Sequence, residues 1–112
     1  MSKILESGEM YLENILMLRD QLEFVRAIDV VKSTGYSKPS ISRALGLLKE
    51  DGMIEVDAQG HITLTPEGEA RALSVYLRHK TLTAFFCSIG IDEETASADA
   101  CKIEHVVSEQ AM

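Results

Sequence analysis

Residues 35–64 read GYSKPSISRALGLLKEDGMIEVDAQGHITL, and this stretch decides the fold. Ser37 can cap a helix whose first turn contains Pro39, where the missing proline N–H costs no hydrogen bond. Apolar residues then recur at positions i, i+3, i+4 and i+7, which predicts that one stripe of the helix packs inward. The stripe consists of Ile41, Ala44, Leu45 and Leu48.

The residues after this helix predict a short β-hairpin. Gly52 is placed to end the helix, and two alternating apolar pairs follow it on either side of a turn near Gly60. The pairs are Ile54 and Val56 before the turn, and Ile62 and Leu64 after it. A capped helix, a glycine stop and a short hairpin together indicate a winged helix-turn-helix, in which the helix that begins near Ser37 is the recognition helix.

Polar residues at the start of this helix are the candidate DNA contacts. They lie off the apolar stripe, and short hydroxyl donors with two cations suit a helix that enters the major groove N-terminus first. The serines and the lysine would mostly contact phosphate, while Arg43 is the best candidate for reading a base. The alternative interpretation is a helix cap, a first-turn proline and solvated polar groups. The candidates are Ser37, Lys38, Pro39, Ser40, Ser42 and Arg43.

Helical patterns flank the winged helix on both sides. Apolar periodicity predicts a first helix from Ser7 to about Gln21 and a second from Glu23 to Thr34. Thr65 and Pro66 predict the start of a helix that runs to about Ile89, and Asp92 is placed to cap a last helix through about Glu109. The inward residues of the second helix are expected to be Phe24, Ala27, Ile28 and Val31.

The totals bound the size and the class of the protein. With 112 residues, 46% of them hydrophobic and 26% charged, the chain can form one domain or one small domain with an appendage. We expect a mainly α protein, with a winged helix-turn-helix DNA-binding domain at residues 1–64 and a short helical region at residues 65–112. No run of eighteen apolar residues occurs and no basic-then-apolar leader, so we expect neither a membrane-spanning nor a secreted protein.

The cysteines suggest a compartment. A pair of cysteines in such a chain indicates a reducing environment, where thiols stay reduced or bind metal, so the expected location is the cytoplasm. Cys87 lies in the apolar run Phe85-Phe86-Cys87 and is predicted to be a core residue, whereas His61 in the hairpin is predicted to be simply exposed.

Charge is distributed unevenly along the chain. The net charge of −7 argues against nucleic-acid binding if it is taken globally. Between Arg26 and Lys49, however, five cations accompany one acid, Asp29, which gives a local net charge of +4. Acids gather in the first predicted helix and between Asp92 and Glu104. This asymmetry fits a basic DNA-reading face beside acidic surfaces that need a counter-charge, for which a divalent metal is one candidate.

The segment Cys101-Lys102-Ile103-Glu104-His105 places a thiol, a carboxylate and an imidazole at positions i, i+3 and i+4. On a continuous helix these side chains share one face, as a metal coordination shell requires. The alternative interpretation is an incidental solvated face, which amphipathic helices commonly carry.

The whole chain resembles the metal-dependent transcriptional repressors related to the diphtheria toxin repressor and the manganese transport regulators. The resemblance implies a homodimer that binds a palindromic double-stranded DNA operator when Fe(II) or Mn(II) is bound, and so controls metal homeostasis genes. Residues 65–112 would then be a dimerisation and metal-binding region, and neither a membrane nor a small organic substrate would be a partner. The resemblance rests on Glu9 to Glu13, Ser37 to Gly52, Leu64 to Gly68, Arg78-His79, and Cys101 to Ser108.

The same resemblance implies a set of metal ligands. In that family, ligands from the first helix and from later helices bind the metal together, which fixes the DNA-binding half against the dimerising half. The thioether of Met10 and the thiolate of Cys101 favour Fe(II) over Mn(II). A site that contains soft sulfur donors suits Fe(II) better than a site with only oxygen donors would. The implied ligands are Met10, Glu13, His79, Cys101, Glu104 and His105.

The chain also departs from the family pattern. Thr83 and Ser97 stand where the resemblance leads one to look for a carboxylate and a histidine of a second metal site. The chain also ends soon after the ligand segment, where relatives continue, so either the sequence is truncated or dimerisation is pared down. A metal-independent winged-helix regulator with a decayed ligand set is therefore an alternative.

Two further function classes remain open at this point. An interaction module that does not bind DNA would suit the acidic balance. A small enzyme would need Cys101 or His105 as a reactive group, but the sequence contains no glycine-rich phosphate loop, no nucleophile elbow and no second His/Asp pair at useful spacing. We therefore expect that the protein is not an enzyme.

Overall fold

The computed structural model describes residues 6–112, with side chains from Ser7 onward, and it is mainly helical with one small hairpin. This confirms the predicted fold class. The described chain divides into two compact units, and the division along the chain falls within the fourth helix: unit 1 extends to Leu73 and unit 2 comprises Ser74–Met112. Among residues 6–112, no helix is both long and apolar enough to cross a membrane. The elements are α1 (Glu6–Arg19), α2 (Ala27–Thr34), α3 (Lys38–Glu50), β1 (Ile54–Val56), β2 (Ile62–Leu64), α4 (Pro66–Ser88) and α5 (Glu93–Ile103).

Unit 1 is built around α1, which contacts α2, α3 and β2. Apolar side chains from all of these elements and from β1 are withdrawn from solvent, and burial of this kind is the main favourable term in folding. Gly35 turns the chain from α2 into α3 with a φ of 77°, a conformation that favours glycine. The core side chains include Tyr11, Leu12, Ile15, Leu16, Val30, Ile41, Leu45, Leu48, Ile54 and Ile62.

The third helix confirms the sequence prediction in detail. The Ser37 hydroxyl caps α3 by accepting a hydrogen bond from the Ser40 backbone N–H at 3.3 Å, and Pro39 lies in the first turn. Ile41, Leu45 and Leu48 are buried, as the apolar stripe predicts. The opposite face of α3 is therefore left to solvent.

The hairpin also forms as predicted. Ile54 pairs with Leu64 and Val56 with Ile62 in an antiparallel register, with Gly60 at a φ of 81° in the turn. The hairpin makes one additional link that the sequence pattern does not suggest. The Ile62 N–H donates to the Val25 carbonyl at 2.7 Å, so β2 pairs on its other edge with the segment before α2.

This extra pairing explains why the predicted start of the second helix was wrong. Helix α2 begins at Ala27 instead of Glu23, because Arg26 is extended and the Asp29 carboxylate accepts the Arg26 backbone N–H at 2.9 Å, which starts the helix there. Phe24 and Ile28 are exposed instead of inward, and Val30 is the residue of α2 that is buried.

The last two helices begin as predicted, but α5 ends early. Thr65 accepts a hydrogen bond from the Gly68 N–H at 3.0 Å ahead of α4, and Asp92 caps α5 by accepting from the Thr95 N–H at 3.0 Å. The expected continuation of α5 through Glu109 is wrong, because α5 ends at Ile103 and irregular turns follow. Cys87 is exposed, so its predicted place in the core is also wrong.

Two glycines inside helices form a matched pair for a test of packing. A Cβ added to Gly68 would lie 1.8 Å from the Met53 carbonyl oxygen, which is backbone and cannot swing away, whereas a Cβ added to Gly46 meets no heavy atom within 4 Å. Gly68→Ala is expected to lower the free energy of unfolding by about 3 kcal/mol or to prevent folding. Gly46→Ala is expected to raise it by about 0.5–1 kcal/mol, since alanine is the better helix former. Chemical denaturation of both variants checks this, and equal effects would contradict the close approach of α4 to Met53.

Candidate metal centre and nucleic-acid interface

A buried carboxylate lies at the end of α5 in unit 2. The Glu104 side chain has 0% of its surface exposed. One of its oxygens, Oε2, lies 3.0 Å from Nδ1 of His79, and the other, Oε1, lies 3.4 Å from Nε2 of His105. Burying an ionised carboxylate is costly unless opposite charge or hydrogen bonds compensate. Nδ1 of His79 lies at hydrogen-bond distance from this carboxylate, and the three side chains form a compact group of oxygen and nitrogen donors.

The imidazole of His79 is held from both sides. Its Nδ1 faces Glu104, and its Nε2 lies 3.2 Å from the Ser97 hydroxyl oxygen on α5. Thr83 donates its hydroxyl to the His79 backbone carbonyl at 2.7 Å, one turn earlier in α4. Ser97 therefore contacts the ring of a predicted ligand, and Thr83 contacts only its backbone.

Arg78, the neighbour of His79 on α4, holds the turn that carries Glu104 and His105. Its Nη1 donates to the Glu104 carbonyl at 3.1 Å and also to the Val107 carbonyl. Carbonyl groups at a helix C-terminus have no partner within the helix, and cationic side chains commonly satisfy them. Two consecutive residues of α4 thus hold the same turn: Arg78 binds its backbone carbonyls, and His79 contacts the Glu104 carboxylate. Sequence reasoning did not assign Arg78 this role, and its only signal was the Arg78-His79 pair.

The remaining predicted ligands are described each within its own unit. Cys101 is exposed on α5 in unit 2. Met10 and Glu13 are half-buried on α1 in unit 1, and the Tyr36 hydroxyl points to the Met10 sulfur at 4.0 Å. Of the six predicted ligands, unit 2 therefore brings together His79, Glu104 and His105. The sequence analysis expected Glu104 and His105 on one face of a continuous last helix, and His79 on the helix before it. The turn after Ile103 places Glu104 and His105 instead.

The donors of this group fit a first-row divalent metal. Imidazole nitrogen and carboxylate oxygen are ligand types that bind Fe(II) and Mn(II) in proteins. The buried negative charge of Glu104 favours a cation at the same place, and the contacts of Ser97 with His79 and of Arg78 with the turn keep the donors oriented. The residues present are therefore compatible with the metal that the resemblance implies.

The predicted DNA contacts all lie on one exposed part of unit 1. They occupy the cap and first turns of α3, and that first turn contains no acidic residue. The helix N-terminus carries a partial positive charge, to which the cations at positions 38 and 43 add, so this surface suits phosphate. The exposed residues there are Ser37, Lys38, Pro39, Ser40, Ser42 and Arg43.

Tyr36 precedes the cap of α3 and was not singled out from the sequence. Its ring meets that of Tyr11 edge-to-face, with centroids 6.2 Å apart and an interplanar angle of 74°. Burial raises the pKa of Tyr11, and the neighbouring Tyr36 raises it further. These contacts connect α1 with the residue next to the cap of α3. In the sequence, the contact between Tyr11 and Tyr36 could have been suggested only by the positions of these two aromatic residues. Two aromatic residues 25 positions apart are weak evidence for a contact when the fold is not known.

Comparison with known proteins finds two domain models of one repressor family along the chain. A family model described as "Iron dependent repressor, N-terminal DNA binding domain" matches residues 3–62, and one described as "Iron dependent repressor, metal binding and dimerisation domain" matches residues 65–112. The chain is 29% identical over 110 residues to the iron-dependent repressor IdeR of Mycobacterium tuberculosis, which covers 97% of this chain and 48% of that protein.

Two further similarities agree with this. The chain is 30% identical over 102 residues to the HTH-type transcriptional regulator MntR of Lysinibacillus sphaericus, covering 91% of this chain and 73% of that protein. A solved structure of a "Manganese-dependent transcriptional repressor complex with manganese" matches with a TM-score of 0.84 at 26% identity, over 94% of this chain and 49% of that one. The chain thus spans about half the length of IdeR and of the diphtheria toxin repressors it matches.

The role of Arg78 can be tested by substitution. Arg78→Ala removes the donor to two carbonyls, so we expect faster hydrogen exchange of the amides at residues 104–108 and an unfolding free energy lower by about 1–3 kcal/mol. Arg78→Lys keeps the charge but not the planar fork, and an intermediate effect is expected. Lys102→Ala, which removes an exposed cation of the same unit, is the control. Unchanged exchange in Arg78→Ala would show that the turn is held by other contacts.

Proposed function

The chain belongs to the family of iron-dependent repressors, and on this basis we propose that it binds operator DNA as a homodimer when Fe(II) or Mn(II) is bound. The family's proteins are metal-dependent transcriptional repressors, a class distinct from enzymes. Control of metal homeostasis genes is part of the proposal, as are a palindromic operator and a cytoplasmic location. The chain carries the two regions that such a protein needs, a DNA-binding unit and a helical region with metal donors.

The observation that carries the metal part of the proposal is the buried Glu104 between two imidazoles. Packing alone would be satisfied by an apolar side chain of similar volume, since a buried ion pair seldom stabilises a protein more than such residues do. A bound metal ion would supply positive charge to Glu104 and accept the imidazole lone pairs. Within the chain, Ser97 orients the ring of His79 and Arg78 fixes the turn that carries the carboxylate.

The proposed ligands are His79, Glu104 and His105. Cys101, Met10 and Glu13 stay predicted ligands, supported by the resemblance of the motifs that contain them. A sulfur donor in the site would favour Fe(II), whereas imidazole and carboxylate donors alone also serve Mn(II). The choice between the two metals therefore depends on whether Met10 and Cys101 take part.

The dimer part of the proposal is supported by the surface of unit 2. Leu77 and Phe85 of α4, Ile89 just after α4 and Val106 after α5 are each more than half exposed. Large apolar side chains at a surface are typical of protein–protein interfaces. A second copy related by twofold symmetry would present a second α3, so that the two recognition helices could read half-sites about 34 Å apart.

The test of the proposal is a DNA-binding measurement with and without metal. Fluorescence anisotropy with a pool of palindromic duplexes is measured at one fixed salt concentration, because phosphate contacts make affinity strongly salt-dependent. The conditions are chelator, Mn(II) and anaerobic Fe(II). Binding only with metal is expected. Tight binding in chelator would instead favour the metal-independent regulator, and no specific binding in any condition would contradict DNA binding by this chain.

Glu104→Gln is the variant that separates metal binding from folding. It keeps the shape of the side chain and removes its charge, so we expect metal affinity to fall by about 100-fold or more while the helical content persists. Metal binding is measured by Mn(II) electron paramagnetic resonance, with circular dichroism as the check on folding. Glu109→Gln, the same change at an exposed position five residues later, is the control. Equal metal affinities for the two variants would remove Glu104 from the site.

Arg43→Ala tests the DNA-facing surface. If Arg43 reads a base, its loss costs about 1–3 kcal/mol of binding free energy and relaxes specificity at one position of the operator. Lys49→Ala, on the last turn of the same helix, is expected to have a smaller and sequence-independent effect. Anisotropy titrations against a panel of single-base operator changes compare the two. An Arg43→Ala variant with parental affinity and specificity would contradict the predicted recognition surface.

A further inference from the structure

The hairpin histidine, His61, lies at the centre of a cluster that the DNA-binding proposal does not use. Its ring stacks on Phe24, with centroids 4.1 Å apart and an interplanar angle of 9°. Its Nε2 lies 3.0 Å from Nη2 of Arg26, and its Nδ1 lies 3.2 Å from Oδ2 of Asp57. The expectation that His61 is merely exposed was wrong, because only 16% of its side-chain surface reaches solvent.

These contacts define the protonation state of the ring. A guanidinium group can only donate hydrogen bonds, so Nε2 of His61 must accept from Arg26 and carry no proton. Nδ1 then carries the proton and donates it to the Asp57 carboxylate. The geometry therefore requires a neutral imidazole protonated at Nδ1.

Asp57 is well suited to accept this proton. Its Oδ1 accepts the backbone N–H groups of His61 at 2.8 Å and of Gln59 at 2.9 Å. The bond from the His61 backbone is the largest cause that lowers the pKa of Asp57, and the bond from the Gln59 backbone and the His61 side chain lower it further. The carboxylate thus stays ionised and fixes the turn that precedes His61.

The cluster joins two segments that are distant in the sequence. Phe24 and Arg26 belong to the extended segment before α2, whereas Asp57 and His61 belong to the hairpin that follows α3. The only backbone link described between these segments in residues 6–112 is the bond from the Ile62 N–H to the Val25 carbonyl. The side chain of His61 adds a stacking contact and a charged hydrogen bond directly beside it.

We propose that His61, as the neutral Nδ1-protonated imidazole, is a positioning residue that fastens the hairpin to the start of α2 and thereby keeps the DNA-binding unit in its binding shape. This rests on the proposed DNA-binding function. Winged helix-turn-helix recognition requires the helix that crosses the DNA backbone, the recognition helix and the hairpin to keep one relative arrangement. His61 acts on DNA only through this arrangement and not by contact.

Protonation of His61 removes one link and keeps another. With a proton on Nε2, the ring and the Arg26 guanidinium both present donors and positive charge to each other, so this contact is lost, while the pair with Asp57 remains. His61 lines two openings that contain further charged groups. Arg19 and Glu23 line a cavity of about 210 Å³ together with His61. Lys49 and Glu55 line a second, more open groove with it. The neutral ring is therefore the form that holds Arg26.

The first test does not involve DNA. Long-range 1H–15N NMR spectra of the imidazole at pH 8 are expected to show Nδ1 protonated and Nε2 unprotonated for His61. Hydrogen exchange of the Ile62 amide is expected to be faster in His61→Phe, which keeps the stacked ring but neither polar contact, and in Arg26→Ala. Gln59→Ala, an exposed residue of the same hairpin turn, is the control. An Nε2-protonated ring, or unchanged Ile62 exchange in both variants, would overturn the proposal.

The second test measures DNA affinity at pH 8, with metal occupancy checked for every variant. At pH 8, His61→Phe and Arg26→Ala are each expected to weaken binding by about tenfold, the scale of one hydrogen bond to a charged group, and the double variant no further. Additive losses would overturn the positioning role. If the parent binds no DNA at all, the proposed function fails, and the NMR and exchange results still decide whether the hairpin is held by His61.

Discussion

Unit 1 depends on the burial of one stripe of α3 against α1. Ile41, Leu45 and Leu48 recur on one side of a helix that advances 100° per residue, so burying them fixes the rotation of the helix about its axis. That rotation determines which residues remain exposed, and the cap and first-turn polar side chains are the result. The same helix therefore contributes to the core and carries the candidate DNA surface. A change in the core stripe would rotate or loosen that surface even if no surface residue changed.

The elements that sequence reasoning predicted correctly are those set by local chemistry. The cap at Ser37, the register of Ile54 with Leu64 and the cap at Asp92 each depend on residues within about ten positions of one another. The two helix ends that were wrong depend on distant partners. Helix α2 starts late because Val25 pairs with Ile62, and α5 ends early where Arg78 takes the Glu104 and Val107 carbonyls. Periodicity cannot report a contact across 26 or 37 residues.

The candidate site shows the same division. The residue types were identified from the motif and the resemblance, but their arrangement was not, since the sequence treated Glu104 and His105 as part of a continuous helix. The structure instead places Glu104 at the C-cap of α5, where its carboxylate turns inward and its exposed surface falls to zero. Neither the burial of that charge nor the orientation of His79 by Ser97 could be derived from spacing, because both require α4 and α5 to be placed together.

The proposed metal site depends on its buried carboxylate. Within unit 2, Oε2 of Glu104 lies 3.0 Å from Nδ1 of His79, and Oε1 lies 3.4 Å from Nε2 of His105. If the imidazoles carry the protons that satisfy Glu104, a metal ion that binds the same nitrogens must displace those protons. In the proposed site, the same imidazoles would therefore serve either the carboxylate or the metal. Both imidazoles already face this carboxylate, so the proposed site would need little rearrangement of these donors to hold a cation.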